Sequence, residues 1–445
     1  MSLKTFFGGI HPKYAKEQTA ASPIEILSAP ETVVVPMQQH IGAPAVPTVK
    51  KGDEVLVGQV IGEATQPISA PVHSPVSGTV VAVTDRPHIN GRSVLSVVIE
   101  NDGQNKWVEL ETHPDPVQLD RDAIINKIRA AGIVGMGGAG FPTAAKLRPP
   151  KDAVIDYLII NGAECEPYLT ADHRLMLERT EDLLIGILIL KKILNAKRCY
   201  IGIEENKPDA IIAVKTAIKE NHYDKIKLVI LRAKYPQGGE KQLIDAITGR
   251  NVPSGGLPMD CGCVVQNVGT TIAVRDAIID GLPLYQRVVT VTGPAVGSPK
   301  NLLVRTGTPM KHLLEACQTD MEATKKVIMG GPMMGLAQTH TDVPVIKSTS
   351  GILAYNKTTP GIREYPCINC GRCIQACPVN LVPSRLAKFI EREKIDEAVE
   401  WNLMDCIECG SCTFICPSKI NLVHFIKLGK FHIQAKRAAA ASKKQ

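Results

Sequence analysis

Two stretches near the end of the chain repeat one cysteine spacing. The first reads Cys367-Ile-Asn-Cys370-Gly-Arg-Cys373-Ile-Gln-Ala-Cys377-Pro378 and the second Cys406-Ile-Glu-Cys409-Gly-Ser-Cys412-Thr-Phe-Ile-Cys416-Pro417. Thiolates two residues apart wrap three corners of a cubane from one loop. The fourth cysteine, followed by proline, starts a helix that carries it to the other cluster. The expected ligand sets are therefore crossed: Cys367, Cys370, Cys373 and Cys416 on one 4Fe–4S cluster, and Cys406, Cys409, Cys412 and Cys377 on the other. A pair of zinc sites is the competing chemistry, but zinc needs neither a third C-x2-C step nor a following proline. A chain with two such clusters moves electrons.

The paired run is that of bacterial two-cluster ferredoxins. The 28 residues between Cys377 and Cys406 suit a helical module better than a compact β-containing one, and residues 384–401 read as helix. The chain holds 13 cysteines, an odd number, and its start (Met1-Ser-Leu-Lys-Thr-Phe-Phe-Gly-Gly) lacks the apolar run and cleavage site of a signal peptide. Metal binding is expected, not a disulfide framework. Cys165, Cys199, Cys261, Cys263 and Cys317 read as structural thiols. The strongest apolar run, 183–190, is stopped by Lys191 and Lys192 and is too short to span a bilayer. The default is a cytoplasmic protein.

The net charge is +7, but six basic residues and no acids crowd the end: Lys427, Lys430, Lys436, Arg437, Lys443 and Lys444. The body is near neutral, so a broad nucleic-acid surface is not expected. The tail reads either as a frayed soluble helix end or as a contact for a membrane surface or acidic partner.

The pattern along the chain predicts a multidomain α/β protein. Residues 1–115 are β-rich, with short alternating runs between Pro and Gly. The stretch from Val49-Lys-Lys-Gly-Asp-Glu-Val to Ser74-Pro-Val-Ser-Gly-Thr-Val resembles a biotinyl/lipoyl-type barrel-sandwich. The matching turn, Gln66-Pro-Ile-Ser-Ala, has no acceptor lysine, so the resemblance implies a scaffold and not a swinging arm. Residues 116–285 alternate helix and strand, as a largely parallel sheet requires. Residues 286–350 fit a small β-grasp-like unit. Residues 339–366, rich in Thr, Ser, Pro and Gly, read as a linker. The segment 351–445 ends in the cysteine module.

A second signal lies in Gly135-Met-Gly137-Gly138-Ala-Gly140-Phe-Pro142-Thr-Ala-Ala-Lys146. It contains G-x-G-x-x-G, although a helix and not a strand is expected before it. Clustered glycines let backbone N–H groups approach an anion, Pro142 at a helix start aims the positive dipole end there, and Lys146 adds a charge. A nucleotide or flavin phosphate is the natural guest; a tight interdomain turn is the bland alternative. After the apolar run 154–160 comes Asn161-Gly-Ala-Glu164-Cys-Glu166-Pro-Tyr168-Leu-Thr-Ala-Asp172. Glu204-Glu205 and Gly238-Gly239-Glu240 follow later strands. Carboxylates at strand ends suit ribose hydroxyls and disfavour an extra 2′-phosphate. No Ser/His/Asp or His-x-x-x-His constellation points to hydrolysis or a zinc enzyme.

The glycine loop followed by N-x-x-E-x-E-P resembles the FMN- and NADH-binding subunit of respiratory complex I. Residues 161–172, Phe7-Gly-Gly-Ile-His-Pro and the paired cysteine motifs are more similar to the C-subunit family of Rnf complexes, over essentially the whole chain. The resemblance implies a barrel-sandwich, a Rossmann-like FMN/NADH domain, an SLBB-type β-grasp domain and a helical two-cluster ferredoxin domain. It also implies FMN and NAD(H) as cofactors beside the clusters. The activity implied is that of an NADH-reactive subunit of a membrane-bound ion-translocating ferredoxin:NAD oxidoreductase, peripheral on the cytoplasmic face. Other subunits would be its direct partners, and ferredoxin an indirect one. Chemistry agrees: a nicotinamide gives two electrons as hydride, each cluster takes one, and a flavin does both. Two alternatives remain: a soluble NADH-dependent cobalamin reductase of microcompartment type, and a non-catalytic iron–sulfur relay.

Overall fold

The computed structural model describes residues 3–115, 118–150, 152–357 and 363–442. The expected boundary at residue 116, and Lys443 and Lys444 of the basic tail, lie outside the described residues.

Residues 3–23 form isolated bridges and a turn before β1 (Ile24–Ile26). Seven strands follow: β2 (Thr32–Pro36), β3 (Val46–Pro47), β4 (Glu54–Val55), β5 (Val60–Glu63), β6 (Val72–His73), β7 (Gly78–Pro87) and β8 (Ser93–Asn101). They form two facing sheets, β2-β8-β7-β4 and β3-β5-β6. The alternating apolar residues meet between them as one core of Val33, Val35, Val55, Ile61, Val72, Val80, Val97 and Ile99. The lysine-free turn 66–70 is tied back by Ala70 N, which donates to His40 Nε2 at 3.0 Å.

Then come α1 (Arg121–Ala130), α2 (Thr143–Lys146), β9 (Tyr157–Gly162), α3 (Ala171–Glu178), α4 (Thr180–Leu194), β10 (Arg198–Glu204), α5 (Pro208–Glu220), β11 (Ile226–Leu231), α6 (Glu240–Thr248), β12 (Cys263–Asn267) and α7 (Val268–Ile279). The helix signals are local. In α4, Glu181 and Asp182 occupy the first turn and Lys191 and Lys192 the last, and Asn195 closes it at φ 47°. The sheet order is β11-β10-β9-β12, with all pairs parallel. Helices cover both faces: Leu158 and Ile160 pack with α1, α4 and α7, and Ile159 between them packs with α6. The chain leaves β9 toward β10 and later returns to its other side as β12. The strand order therefore reverses at β9/β12, and a crevice is expected beyond their carboxyl ends.

The next sheet runs β1-β14-β13-β17-β15-β16, from β13 (Gln286–Thr292), β14 (Lys300–Arg305), β15 (Lys326–Met329), β16 (Leu336–Gln338) and β17 (Gly351–Tyr355), with α8 (Met310–Ala316) packed against it. This sheet corrects the expected 286–350 interval at both ends. The chain start supplies β1, parallel to β14. Within the stretch read as linker, β17 is a buried strand between β13 and β15. Gly351-Ile-Leu-Ala-Tyr is too short an apolar run to stand out among Thr, Ser and Pro; burial on both faces makes it a strand.

The last segment holds α9 (Arg372–Gln375), α10 (Pro383–Glu391), α11 (Ile395–Glu400), α12 (Ser411–Ile415) and α13 (Leu422–Ser442). The single helix expected over 384–401 is broken into α10 and α11 at Glu393, whose φ is 55°. The fold packs Leu386, Ile390, Ala398 and Leu403 against Ile426 and Ile433 of α13.

Candidate functional site

The glycine loop is a hairpin. Gly135 N donates to Phe141 O at 2.9 Å and Thr143 N to Ile133 O at 3.0 Å. Gly137 and Gly138 are exposed at its tip. Gly140, at φ 73°, lets the loop return against the barrel-sandwich; a Cβ there would stand 3.1 Å from His40 Cα. The hairpin leans on the start of α7, where Met136 N donates to Thr270 Oγ1 at 2.9 Å. A Cβ at Gly137 would stand 2.8 Å from Asn267 Nδ2, whereas nothing lies within 4 Å of one at Gly138.

Asn267 was not singled out from the sequence, yet it organises this corner. It caps α7, accepting from Thr270 N at 3.2 Å, and donates to Asp172 Oδ2 at 2.6 Å. It lies directly beside Asn161 in the register of β12 and β9. Asn161 in turn donates to Gly238 O at 2.8 Å. A capping asparagine just after the short run Cys263-Val-Val-Gln was the available signal.

The helix after the glycine loop differs from expectation. α2 is one turn of four residues with Pro142 as its cap, stopped before Pro149 and Pro150. It is too short to carry a useful dipole. The helix whose positive end abuts the loop is α7. Lys146 pairs with Glu240 Oε1 at 2.5 Å, which ties α2 to the start of α6 beside Gly238 and Gly239.

Most carboxylates expected to meet ribose have internal partners. Glu164, at φ 44°, accepts from Asp172 N at 2.8 Å and His173 N at 3.1 Å, and so caps α3. Glu166 accepts from Met333 N at 3.1 Å and Met334 N at 2.9 Å in the turn after β15. Burial raises its pKa to about 7 against the pull of those amides. Glu204 is fully buried, 3.3 Å from Lys207 Nζ, and accepts from Lys234 N. Burial first, and Glu164 next, push the Asp172 carboxyl well above its ordinary range. Tyr168 donates its amide to Tyr14 O and meets the Tyr355 ring edge-on. Glu205 is exposed and accepts from Ala233 N at 3.2 Å. Buried cations hold these loops. Lys16 Nζ donates to the carbonyls of Glu164, Glu166 and Leu169, and Lys207 Nζ to Ala163 O at 2.6 Å. Arg287 reaches from β13 to Met136 O and Lys347 O. None of these three cations stands out in the sequence, because their partners are backbone carbonyls far along the chain.

The two cysteine motifs repeat in space as they do in sequence. Asn369 and Glu408, Gly371 and Gly410, and Asn380 and Lys419 occupy matching positions, and all have φ between 53° and 76°. Each motif winds into a short helix, α9 or α12, and these two pack together. Cys377, Cys409, Cys412 and Cys416 are buried, whereas Cys370 is exposed. Burial pushes the Cys412 thiol up to about 12, and Cys406, Cys409 and Cys377 add to the shift. Those four are the crossed set expected for the second motif. Amides already point at the sulfurs: Glu408 N at Cys406 Sγ and Leu381 N at Cys377 Sγ, both at 3.3 Å. Among the described residues, no three Cys, His, Asp or Glu side chains meet at the spacing of one metal ion.

The residues fit the groups they imply. Eight thiols in two repeated turns match in number and spacing the donor set that two 4Fe–4S clusters require. The open tip at Gly138, the start of α7 and the paired asparagines fit a phosphate-bearing flavin. Gln237, fully buried between Tyr235 and Gly238 with neither amide atom partnered, marks the same loops.

Three family models match parts of the chain: the RnfC barrel sandwich hybrid domain over residues 4–104, the Nuo51 FMN-binding domain over 128–276 and the 4Fe-4S dicluster domain over 366–420. The chain is 49% identical over 428 residues to the C subunit of the proton-translocating ferredoxin:NAD(+) oxidoreductase complex of Clostridium ljungdahlii, covering 96% of this chain and 93% of that one. It is 47% identical to the Na(+)-translocating counterpart of Acetobacterium woodii, covering 97% and 98%. It is 45% identical to the C subunit of the ion-translocating oxidoreductase complex of Cronobacter sakazakii, covering 98% of this chain but 57% of that longer one. Among solved structures, an NAD+-reducing nickel–iron hydrogenase in the air-oxidized state shares the fold at a TM-score of 0.51 and 21% identity, over 69% of this chain and 60% of that chain.

Proposed function

The chain belongs to the family of C subunits of ion-translocating ferredoxin:NAD(+) oxidoreductase complexes, and from that premise we propose how its residues carry electrons between NAD(H), FMN and two 4Fe–4S clusters. The domain built on β9–β12 is read as the Rossmann-like FMN/NADH domain of residues 116–285, and the six-stranded sheet as an SLBB-type β-grasp. The glycine loop Gly135, Gly137, Gly138 and Gly140 and the start of α7 would face the flavin phosphate, with Lys146 alongside. Asn161, Asn267 and Gly238 line the strand ends beneath it. When bound, FMN supplies the exchange between hydride and single electrons that neither nicotinamide nor cluster performs alone.

The acids take a different part from the one the sequence implied. Glu164, Glu166 and Glu204 fix the loops at the strand ends, and Glu205 is the exposed carboxylate free to meet a ribose. Asp172 holds Asn267 against the glycine loop. The cysteines hold the clusters in the crossed sets, and other members of the complex receive or supply the electrons. We place the chain peripherally on the cytoplasmic face of the membrane.

The observation that carries this reading is the exposed glycine hairpin at the β9/β12 reversal, in one chain with the repeated cysteine turns. Anaerobically purified protein tests it: NADH should bleach a flavin absorbance and then develop reduced-cluster signals. Cluster reduction by NADH without any bound flavin would overturn it.

A further inference from the structure

The Phe7-Gly-Gly-Ile-His-Pro motif has no part in the site described above, yet it lies between the two halves of the electron path. Residues 4–10 run along the edge of β11, with Lys4 N donating to Ile230 O and Arg232 N to Lys4 O. Ile10 and Tyr235 then exchange two backbone hydrogen bonds, at 2.8 and 2.9 Å. Lys234 Nζ donates to Phe6 O at 2.7 Å. The motif's other side touches the cysteine module: Gly9 N donates to Ala376 O at 3.0 Å.

Both glycines are required there. Gly8 has φ 81°, and a Cβ on it would stand 2.8 Å from Cys377 O. Gly9 has φ 80°, and its Cβ would stand 2.6 Å from Tyr235 O. Backbone approaches this close exclude any side chain. From the loop after β11 the Tyr235 hydroxyl donates to Cys409 O at 2.9 Å, and from α6 Gln242 Nε2 donates to Pro378 O at 3.0 Å. Ile10, Cys165, Tyr235, Ala376 and Cys409 form one buried apolar cluster. Cys165 also accepts from Gly238 N at 3.2 Å, at the strand ends assigned to the flavin.

We propose that this seam is where electrons cross between the nucleotide domain and the iron–sulfur module, entering at the cluster that Cys409 and Cys377 share. On this proposal the N-terminal segment Phe6–Ile10 is the positioning element that sets the distance. One electron leaves the reduced flavin and one cluster gains it; no bond forms or breaks. The identity of that cluster rests on the crossed ligand sets proposed above. The geometry is direct: the seam's contacts reach Cys377 and Cys409, one from each motif, and these belong together only in the crossed set. Exposed Cys370 then marks the first-motif cluster as the one facing partners.

Gly8→Val presses on the Cys377 backbone and so tests the seam without replacing a ligand or changing the glycine loop. Cys412→Ser first identifies which paramagnetic signal belongs to the second motif. In Gly8→Val, flavin and iron contents and the KM for NADH should stay at wild-type values. NADH-driven reduction of the second-motif cluster should slow about tenfold, because the two halves no longer seat. The midpoint potential of that cluster should shift while that of the other does not. Where Gly8→Val loses iron, Tyr235→Phe decides: it removes only the hydroxyl bonded to Cys409 O and should move the same signal. Wild-type transfer rate and potential in the variant that retains iron would overturn the proposal, as would NADH reducing the first-motif cluster first. Failure of the ligand reading shows separately, as loss of the first-motif signal in Cys377→Ser.

Discussion

The Lys146 ammonium stands 2.5 Å from the Glu240 carboxylate, so the cation on the turn that follows the glycine hairpin already has a partner. The pair joins α2 to the loop 238–240 and leaves the ammonium beside the site proposed for the flavin phosphate. Charge-assisted contacts are typically worth ~1.5–3 kcal/mol. Lys146→Ala should therefore weaken FMN binding by roughly ten- to a hundredfold, read as loss of flavin on gel filtration and its recovery with excess FMN. Glu240→Gln should not weaken it, because the freed ammonium can turn to the phosphate. Normal FMN affinity in Lys146→Ala would reduce the lysine to its pair with Glu240.

The crossed cysteine sets predict about eight irons per chain, and about four in Cys377→Ala. The variant should lose the cluster otherwise held by Cys406, Cys409 and Cys412. Iron analysis together with the paramagnetic spectrum of dithionite-reduced protein checks both statements.

Asn267→Ala removes the cap of α7 and the hydrogen bond to buried Asp172. Cap loss costs about 1 kcal/mol, and the unpaired carboxyl adds about 1–3 kcal/mol. Lower thermal stability and faster loss of FMN are expected together, since the same side chain backs Gly137. Unchanged flavin retention alongside a lower melting temperature would assign Asn267 to the fold alone.

Two buried lysines set a pH window. Burial lowers Lys347 from 10.5 to about 7, and Lys16 from 10.5 to about 8. Between the folded and unfolded values the unfolded chain holds more protons, so their contribution to stability rises with pH from about 7 to about 10.5. Lys347 Nζ donates to Pro71 O at 2.8 Å and Gly132 O at 2.7 Å, across the junction of barrel-sandwich and nucleotide domain. Lys347→Met removes both its hydrogen bonds and its titration. The wild type should thus gain on the variant in melting temperature between about pH 6.5 and about pH 9. A constant difference would place the Lys347 titration elsewhere.

Among the described residues no helix is long and apolar enough to cross a membrane. Peripheral attachment predicts that carbonate or high-salt washing releases the chain from membranes. Retention through both washes contradicts the proposed location.

The cysteine motifs were legible because their chemistry is local: spacing within twelve residues fixes which thiols share a loop. The glycine loop and the helices α1, α4 and α8 were legible for the same reason, since caps, prolines and periodicity act over a turn or two. The partners of charged groups were not. Glu164, Glu166 and Glu204 look alike in sequence, each following a strand. Each takes a partner from another segment: a helix start eight residues on, a turn more than 160 residues away, and the Lys234 amide beyond the next strand. The strand Gly351–Tyr355 was hidden likewise, because five apolar residues become a strand only where β13 and β15 offer their edges. The sequence by itself determined the electron-carrying chemistry and which thiols share each loop. Only the tertiary structure decided which acids are fasteners, which helix end backs the glycine loop, and that residues 4–10 lie between the nucleotide domain and the cysteine module, because burial and long-range backbone contacts arise only when the whole chain has packed.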